Sequence, residues 1–161
     1  MKTVLLGNAG AGKTTLASQL IQQEPAARLS LDELAFSEGA ERRSLEESIG
    51  DALQFINTNQ SWIIEGCYSD IVEPLLPYAN TLIFLNPGVE SCIAHCKGRP
   101  WEPSKFASPE LQDANLHNLL RWIREYETRE DEYGLKRHRA LFNSFTGTKV
   151  EYQHASEYTA V

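Results

Sequence analysis

Cysteine is scarce in this chain, with Cys67, Cys92 and Cys96 the only three among 161 residues. Three unevenly spaced thiols cannot build a disulfide framework, so the core is expected to rest on apolar burial in a reducing compartment. Cys92, His95 and Cys96 fall within one helical turn, but no second cluster completes four metal ligands. Small buried thiols on a helix are therefore the expectation. Positive charge is also short: 15 Lys and Arg stand against 22 Asp and Glu, a net charge of −7. That balance repels anionic polymers at long range, which argues against broad nucleic-acid or membrane-surface binding and leaves room only for a local basic site. No apolar run approaches the roughly 18 residues of a membrane span, and the first residues lead into a strand instead of a signal peptide, so a cytoplasmic location is expected. Repeats and low-complexity tracts are missing as well. With 42% apolar residues, the length predicts one domain spanning 1–161.

The feature that stands out is Gly7-Asn8-Ala9-Gly10-Ala11-Gly12-Lys13-Thr14, which fits the spacing G-x-x-x-x-G-K-S/T. The flexible backbone of Gly7 and Gly12 suits a tight turn and close approach to a ligand, so that successive N–H groups can surround phosphate oxygens. Lys13 adds charge for the β and γ phosphates, and the Thr14 hydroxyl has the reach to ligate magnesium. A helix beginning here would aim its positive end at the anion. Thr15 is a spare hydroxyl beside these. Thr3 to Leu6 reads as a strand before the loop, and Leu16, Leu20 and Ile21 recur at helical spacing after it. The segment therefore predicts a binding site for a nucleoside triphosphate, built from residues 7 to 15, with ATP and Mg2+ as the default ligands. A guanine-reading N-K-x-D element is missing, since Asn86-Pro87-Gly88-Val89 lacks the lysine and the aspartate.

Further elements follow in alternation. Ala27 to Leu31 reads as a second strand, about 44–57 as an amphipathic helix, Trp62 to Ile64 and Thr81 to Leu85 as strands, and Val89 to Lys97 as a short helix. A polar stretch, Gly98 to Pro109, precedes a long helix expected over about 110–132, and Lys149 to Tyr152 reads as a last strand. Short apolar strands alternating with helices imply an α/β class with a parallel sheet covered on both faces. Ligands of such sheets lie beyond the carboxyl ends of the strands, which puts Gly7, Asp32, Glu65 and Asn86 on one rim.

Triphosphate chemistry needs a metal held by carboxylates and cations that stabilise charge on the transferring group. Asp32 and Glu65, each ending an apolar strand, are the candidates for the carboxylate duty alongside Thr14; capping the following turns is the alternative for each, and both roles can coexist. Arg99 lies in the Gly- and Pro-flanked stretch that suits a lid over phosphate, and Arg121 sits on the following helix. Arg124, Arg129, Arg137 and Arg139 read as surface cations, and Arg42 and Arg43 as weaker candidates for recognising an anionic acceptor.

The loop Gly7 to Thr14, Leu31-Asp32-Glu33-Leu34, Trp62 to Ser69, the strand Thr81 to Leu85 and the run Arg121 to Tyr126 together resemble the small P-loop kinases, the group that contains adenylate and shikimate kinases. Within it the pattern is similar to the subgroup labelled DNA-topology-modulation (FlaR-like) proteins or AAA-family ATPases. The resemblance covers most of the chain. It implies a three-layer P-loop NTPase fold with a five-stranded parallel sheet in the order 2-3-1-4-5, a short lid near 98–109, and transfer of the ATP γ-phosphate to a small hydroxyl or phosphate acceptor. Asp32 matches the acidic residue after strand two of shikimate-type kinases, Glu65-Gly66 the acidic-Gly pair after strand three of adenylate kinases, and Arg121 the arginine of the helix that follows the lid. Lys13, Asp32, Arg99 and Arg121 are the catalytic candidates on this reading. The stretch between Asp32 and Trp62 is short for a nucleotide-acceptor domain, and the Gly-Gly pair of a shikimate site is missing. The acceptor is thus open, and a nucleotide-dependent regulatory protein with slow ATPase activity is the alternative.

Overall fold

The computed structural model describes residues 1–37 and 41–159. Five parallel strands form one sheet in the order β2-β3-β1-β4-β5: β1 (Lys2–Gly7), β2 (Ala27–Ser30), β3 (Trp62–Gly66), β4 (Thr81–Leu85) and β5 (Thr148–Tyr152). The central strand β1 aligns Leu5 with Glu65 of β3 on one side and with Ile83 of β4 on the other. Because side chains alternate along a strand, each of the three central strands β3, β1 and β4 serves two cores. Val4, Leu6, Trp62, Ile64, Leu82 and Phe84 share one cluster, whereas Leu5, Ile63, Ile83 and Leu85 share the other. Continuous burial of both faces explains why these strands read as apolar runs instead of alternating ones.

Helices cover both faces. The Leu5 face packs α1 (Lys13–Gln23), α5 (Val89–Lys97) and α6 (Pro109–Arg124), through Leu16, Leu20, Cys92, Cys96, Leu120 and Ile123. The Val4 face packs α3 (Leu45–Thr58), α4 (Ser69–Leu75) and α7 (Leu135–Ser144), through Ala52, Ile56, Ile71, Leu75 and Leu141. A one-turn helix, α2 (Asp32–Ala35), follows β2 directly. Ser44 caps α3 by accepting from Glu47 N, and Ser108 caps α6 by accepting from Leu111 N with Pro109 in the first turn. These are ordinary helix starts.

One expectation changes, and the expectation of small buried thiols holds. The helix expected over 110–132 stops at Arg124, since Glu125 N and Tyr126 N turn back to the carbonyls of Trp122 and Ile123. Tyr126 is buried there, and its carbonyl accepts from Leu135 N. The chain thus makes a corner and enters α7, which apolar spacing alone did not reveal. The thiols of Cys67, Cys92 and Cys96 are all buried, and burial pushes the Cys92 thiol up to about 11. Among the described residues no helix is long and apolar enough to cross a membrane.

Candidate functional site: the loop after the central strand

Strand order reverses at β1, because its neighbours β3 and β4 lie on opposite sides and their connections run in opposite directions. A crevice opens beyond such a switch point, and the loop 8–12 leaves β1 into it. Two glycines shape the loop: Gly10 has φ 77° and Gly12 has φ 96°, values that side chains on Cβ disfavour. A Cβ on Gly10 would also lie 2.5 Å from the Cys92 carbonyl oxygen. Gly7, expected as a turn residue, instead ends β1.

The loop runs into α1 at Gly12, which offers no side-chain cap, and the first turn holds no acidic residue. The N–H groups at Lys13, Thr14 and Thr15 are therefore left for a ligand, in contrast to the serine-capped starts of α3 and α6. The Lys13 ammonium donates to the carbonyls of Gly7 (3.1 Å) and Asn8 (2.7 Å). Asn8, only 2% exposed, donates from its amide to the Ile123 carbonyl and leaves its Oδ1 without a partner.

Two residues hold the loop from outside: His95, weighed in the sequence only as part of an incomplete metal cluster, and Tyr158, which the sequence did not single out. The Gly10 carbonyl accepts from His95 Nδ1 at 2.8 Å, which fixes the proton on that nitrogen, and the Ala11 carbonyl accepts from Tyr158 OH at 2.7 Å. A trans peptide points its C=O and N–H in opposite directions. Pinning the Ala11 carbonyl outward therefore turns the Gly12 N–H to the other side. The Tyr158 ring also passes 3.2 Å from where a Gly12 Cβ would stand. His95 and Tyr158 come from α5 and from the segment after β5, so only the fold brings them to the loop.

On the β3 side, Thr14 Oγ1 donates to Glu65 Oε1 at 2.8 Å. Glu65 points to the α1 face because it sits two residues after Ile63 on β3. Arg28 Nη2 lies 3.4 Å from Glu65 Oε2, close enough to balance charge but out of line for a hydrogen bond, so this buried oxygen has no donor. An unsatisfied carboxylate oxygen 4% exposed is costly in a ligand-free protein. A hard cation beside the Thr14 hydroxyl would satisfy it, and these donors fit magnesium.

Asp32 opens α2 and is exposed, accepting from Tyr68 OH at 2.6 Å. Burial, followed by the neighbouring Cys67 and Asp32, holds the Tyr68 phenol above its usual range, so Tyr68 is a donor to Asp32. Burial pushes the Cys67 thiol up to about 12, and the same thiol feels Lys13, Asp32 and Arg42. Tyr68 thus joins the carboxylate after β2 to Arg42, whose guanidinium lies 5.0 Å over its ring. Arg99 and Arg121 are both exposed, Arg99 just past the end of α5 and Arg121 on α6. Among the described residues neither forms an ion pair, and no hydrogen bond joins either one to the loop.

The stretch between α5 and α6 is exposed along most of its length, yet it has local order. Trp101 Nε1 donates to the Phe106 carbonyl, and Gln112 of α6 bonds both Glu102 N and the Pro100 carbonyl. This latch is not legible in the stretch itself, because its partner lies on the next helix.

No protein-family model matches this sequence, and no curated protein sequence resembles it. Solved structures do match. A deoxyadenosine kinase from M.mycoides, determined with bound dATP, is 12% identical, with 96% of this chain and 91% of that chain covered at a TM-score of 0.51. A shikimate kinase from Bacteroides thetaiotaomicron is 17% identical, with 94% and 87% covered at a TM-score of 0.56. The chain therefore has the fold of the P-loop kinases, with the sheet order 2-3-1-4-5.

Proposed function

We propose that this chain is an ATP-dependent phosphotransferase acting on a small acceptor. The observation that carries the reading is the uncapped start of α1 with the Thr14–Glu65 hydrogen bond beside it. An anion site and a hard-cation site there share one residue pair, Lys13-Thr14. The amides of Gly10 and of residues 12 to 15, with the Lys13 ammonium, would surround the β and γ phosphates. Thr14 and Glu65, with Asp32 beside them, would hold magnesium, which supplies charge neutralisation on the phosphate oxygens when bound. Arg99 and Arg121, from the stretch near 98–109 acting as a lid and from α6, would add positive charge to the transferring group. Asp32 would orient the acceptor hydroxyl and take its proton as the new O–P bond forms and the bond to the β-phosphate oxygen breaks.

Positioning and charge neutralisation are what phosphoryl transfer asks of a protein. The resemblance to the FlaR-like subgroup belongs to this reading and adds no acceptor. The test is magnesium-dependent ATP turnover with and without a panel of nucleosides, sugars and hydroxy acids. Acceptor-dependent stimulation with a phosphorylated product is the expected result. A slow rate that no acceptor changes would support a nucleotide-dependent regulatory protein instead.

A further inference from the structure

The sequence suggested that Arg42 and Arg43 recognise an anionic acceptor, and the structure gives them other work. Arg42 Nη2 bonds both carboxylate oxygens of Asp70, at 3.2 and 3.1 Å. Its Nη1 bonds Glu132 Oε1 at 3.3 Å and Tyr133 OH at 2.6 Å. The remaining Nε is sealed from water and has no partner. The guanidinium lies over the Tyr68 ring at 5.0 Å and the Tyr133 ring at 5.7 Å. Every outward donor is therefore used, and two carboxylates answer one positive charge. Arg43 is similarly paired with Asp51 at 2.7 Å and Glu47 at 3.6 Å. Arg28 is balanced by Glu65.

Tyr68 links this cluster to Asp32, since the ring under Arg42 carries the hydroxyl that donates to Asp32. An acceptor whose hydroxyl lies at Asp32 thus meets a neighbourhood holding Asp32, Asp70 and Glu132 against Arg42. A phosphate or carboxylate brought there would be repelled by the carboxylates, and it could recruit Arg42 only by stripping Asp70 and Glu132 of their partner in a partly buried site. What the wall offers freely is the ring of Phe36, 42% exposed, which stands edge-on at 6.3 Å to the buried Tyr68, itself edge-on to Tyr133 at 5.4 Å.

We infer that the acceptor is a neutral hydroxyl compound, without phosphate or carboxylate, seated against Phe36 with its hydroxyl at Asp32. The inference rests on the phosphotransferase reading and narrows it. Specificity here comes from rejection as much as attraction, because Arg42 is already taken by Asp70 and Glu132 and anionic analogues meet more carboxylates than cations.

The test uses the whole chain saturated with magnesium and a non-hydrolysable ATP analogue, so that the loop is filled. Inorganic phosphate is then titrated while the ring resonances of Tyr68 and Tyr133 are followed by NMR. Wild type should show no saturable shift. In Asp70→Asn combined with Glu132→Gln, Arg42 is released and phosphate should bind at least tenfold more tightly. Glu132→Gln alone, which keeps the bidentate pair to Asp70, should fall between the two and serves if the double variant fails to fold. Saturable phosphate binding to the loaded wild type overturns this inference alone, as does a folded double variant that ignores phosphate. A protein that fails to bind the ATP analogue overturns the phosphotransferase reading and this inference with it.

Discussion

The two sides of the phosphate loop handle positive charge in opposite ways. On the β2–β3 side Arg28, Arg42 and Arg43 are each tied to carboxylates. On the α5–α6 side Arg99, Arg121 and Arg124 are exposed and form no ion pair among the described residues. Both sides are made from the same residue type, so composition does not distinguish them; pairing does. A paired arginine is a structural brace whose field is largely cancelled, whereas an exposed one keeps its charge for an incoming anion. On the proposed function, the exposed side would suit a triphosphate and the paired side an uncharged acceptor, with Lys13 and Thr14 between them.

The strongest way to break this comparison is at its centre. Lys13→Ala should lower ATP turnover by at least ~10²–10³-fold, the range for losing one group that stabilises transition-state charge. The fold should survive, because the ammonium bonds only loop carbonyls. Steady-state kinetics with circular dichroism checks both halves, and an active variant would remove the loop from the chemistry.

A second effect concerns the ground beneath the β3 side. His138 is fully buried, with Tyr126 OH donating to its Nδ1 and its Nε2 donating to the Cys67 carbonyl, both at 2.7 Å. Burial, more than any neighbour, lowers it from 6.5 to about 4. Between those values the unfolded chain binds the proton more readily than the folded one, so stability rises with pH across the window. The contribution is complete above about pH 6.5 and is lost as pH falls towards 4, about 3 kcal/mol in all. Denaturant melts across that range should show the slope, and His138→Gln should flatten it. Arg139 holds Glu151 down from 4.5 to about 2, so its contribution fades below about 4.5 and meets the His138 window only at its acid end.

How far the sequence foretold this arrangement depends on the range of each interaction. The loop and the helices α1, α3 and α5 follow from local spacing, because a G-x-x-x-x-G-K-T run and an apolar run carry their own geometry, whereas the strand order came from the resemblance to the small P-loop kinases. Asp32 and Glu65 were placed on the rim by strand ends alone. The helix corner at Tyr126 was missed because burial of one tyrosine against His138 ends α6, a contact twelve residues away. Arg129 read as a surface cation, yet it lies over the Trp122 ring at 4.6 Å and bonds Asp131. His95 and Tyr158 were invisible for the same reason, since their partners lie 85 and 147 positions away. Whether an arginine is paired is likewise a property of the fold.

Smaller changes sharpen the comparison. Glu65→Gln should weaken apparent magnesium affinity about 10–100-fold, as for other groups that orient or hold a metal, while metal-free nucleotide binding changes less; calorimetry with and without magnesium separates the two. Tyr158→Phe removes one hydrogen bond to the loop and keeps the ring. The KM for ATP should rise by a few-fold, in line with the ~0.5–1.5 kcal/mol of one net hydrogen bond, with kcat little changed. An unchanged KM would mean that the Tyr158 hydroxyl does not set the loop.

The contrast between the two sides is most directly tested by hydrogen exchange on the whole chain, with and without magnesium and a non-hydrolysable ATP analogue. The account predicts new protection across Gly7–Thr15 and across Gly98–Pro109, where uncommitted cations gain an anion, and little change around Arg42–Ser44 and Gly66–Asp70. Equal protection on both sides, or none across Gly98–Pro109, would contradict it.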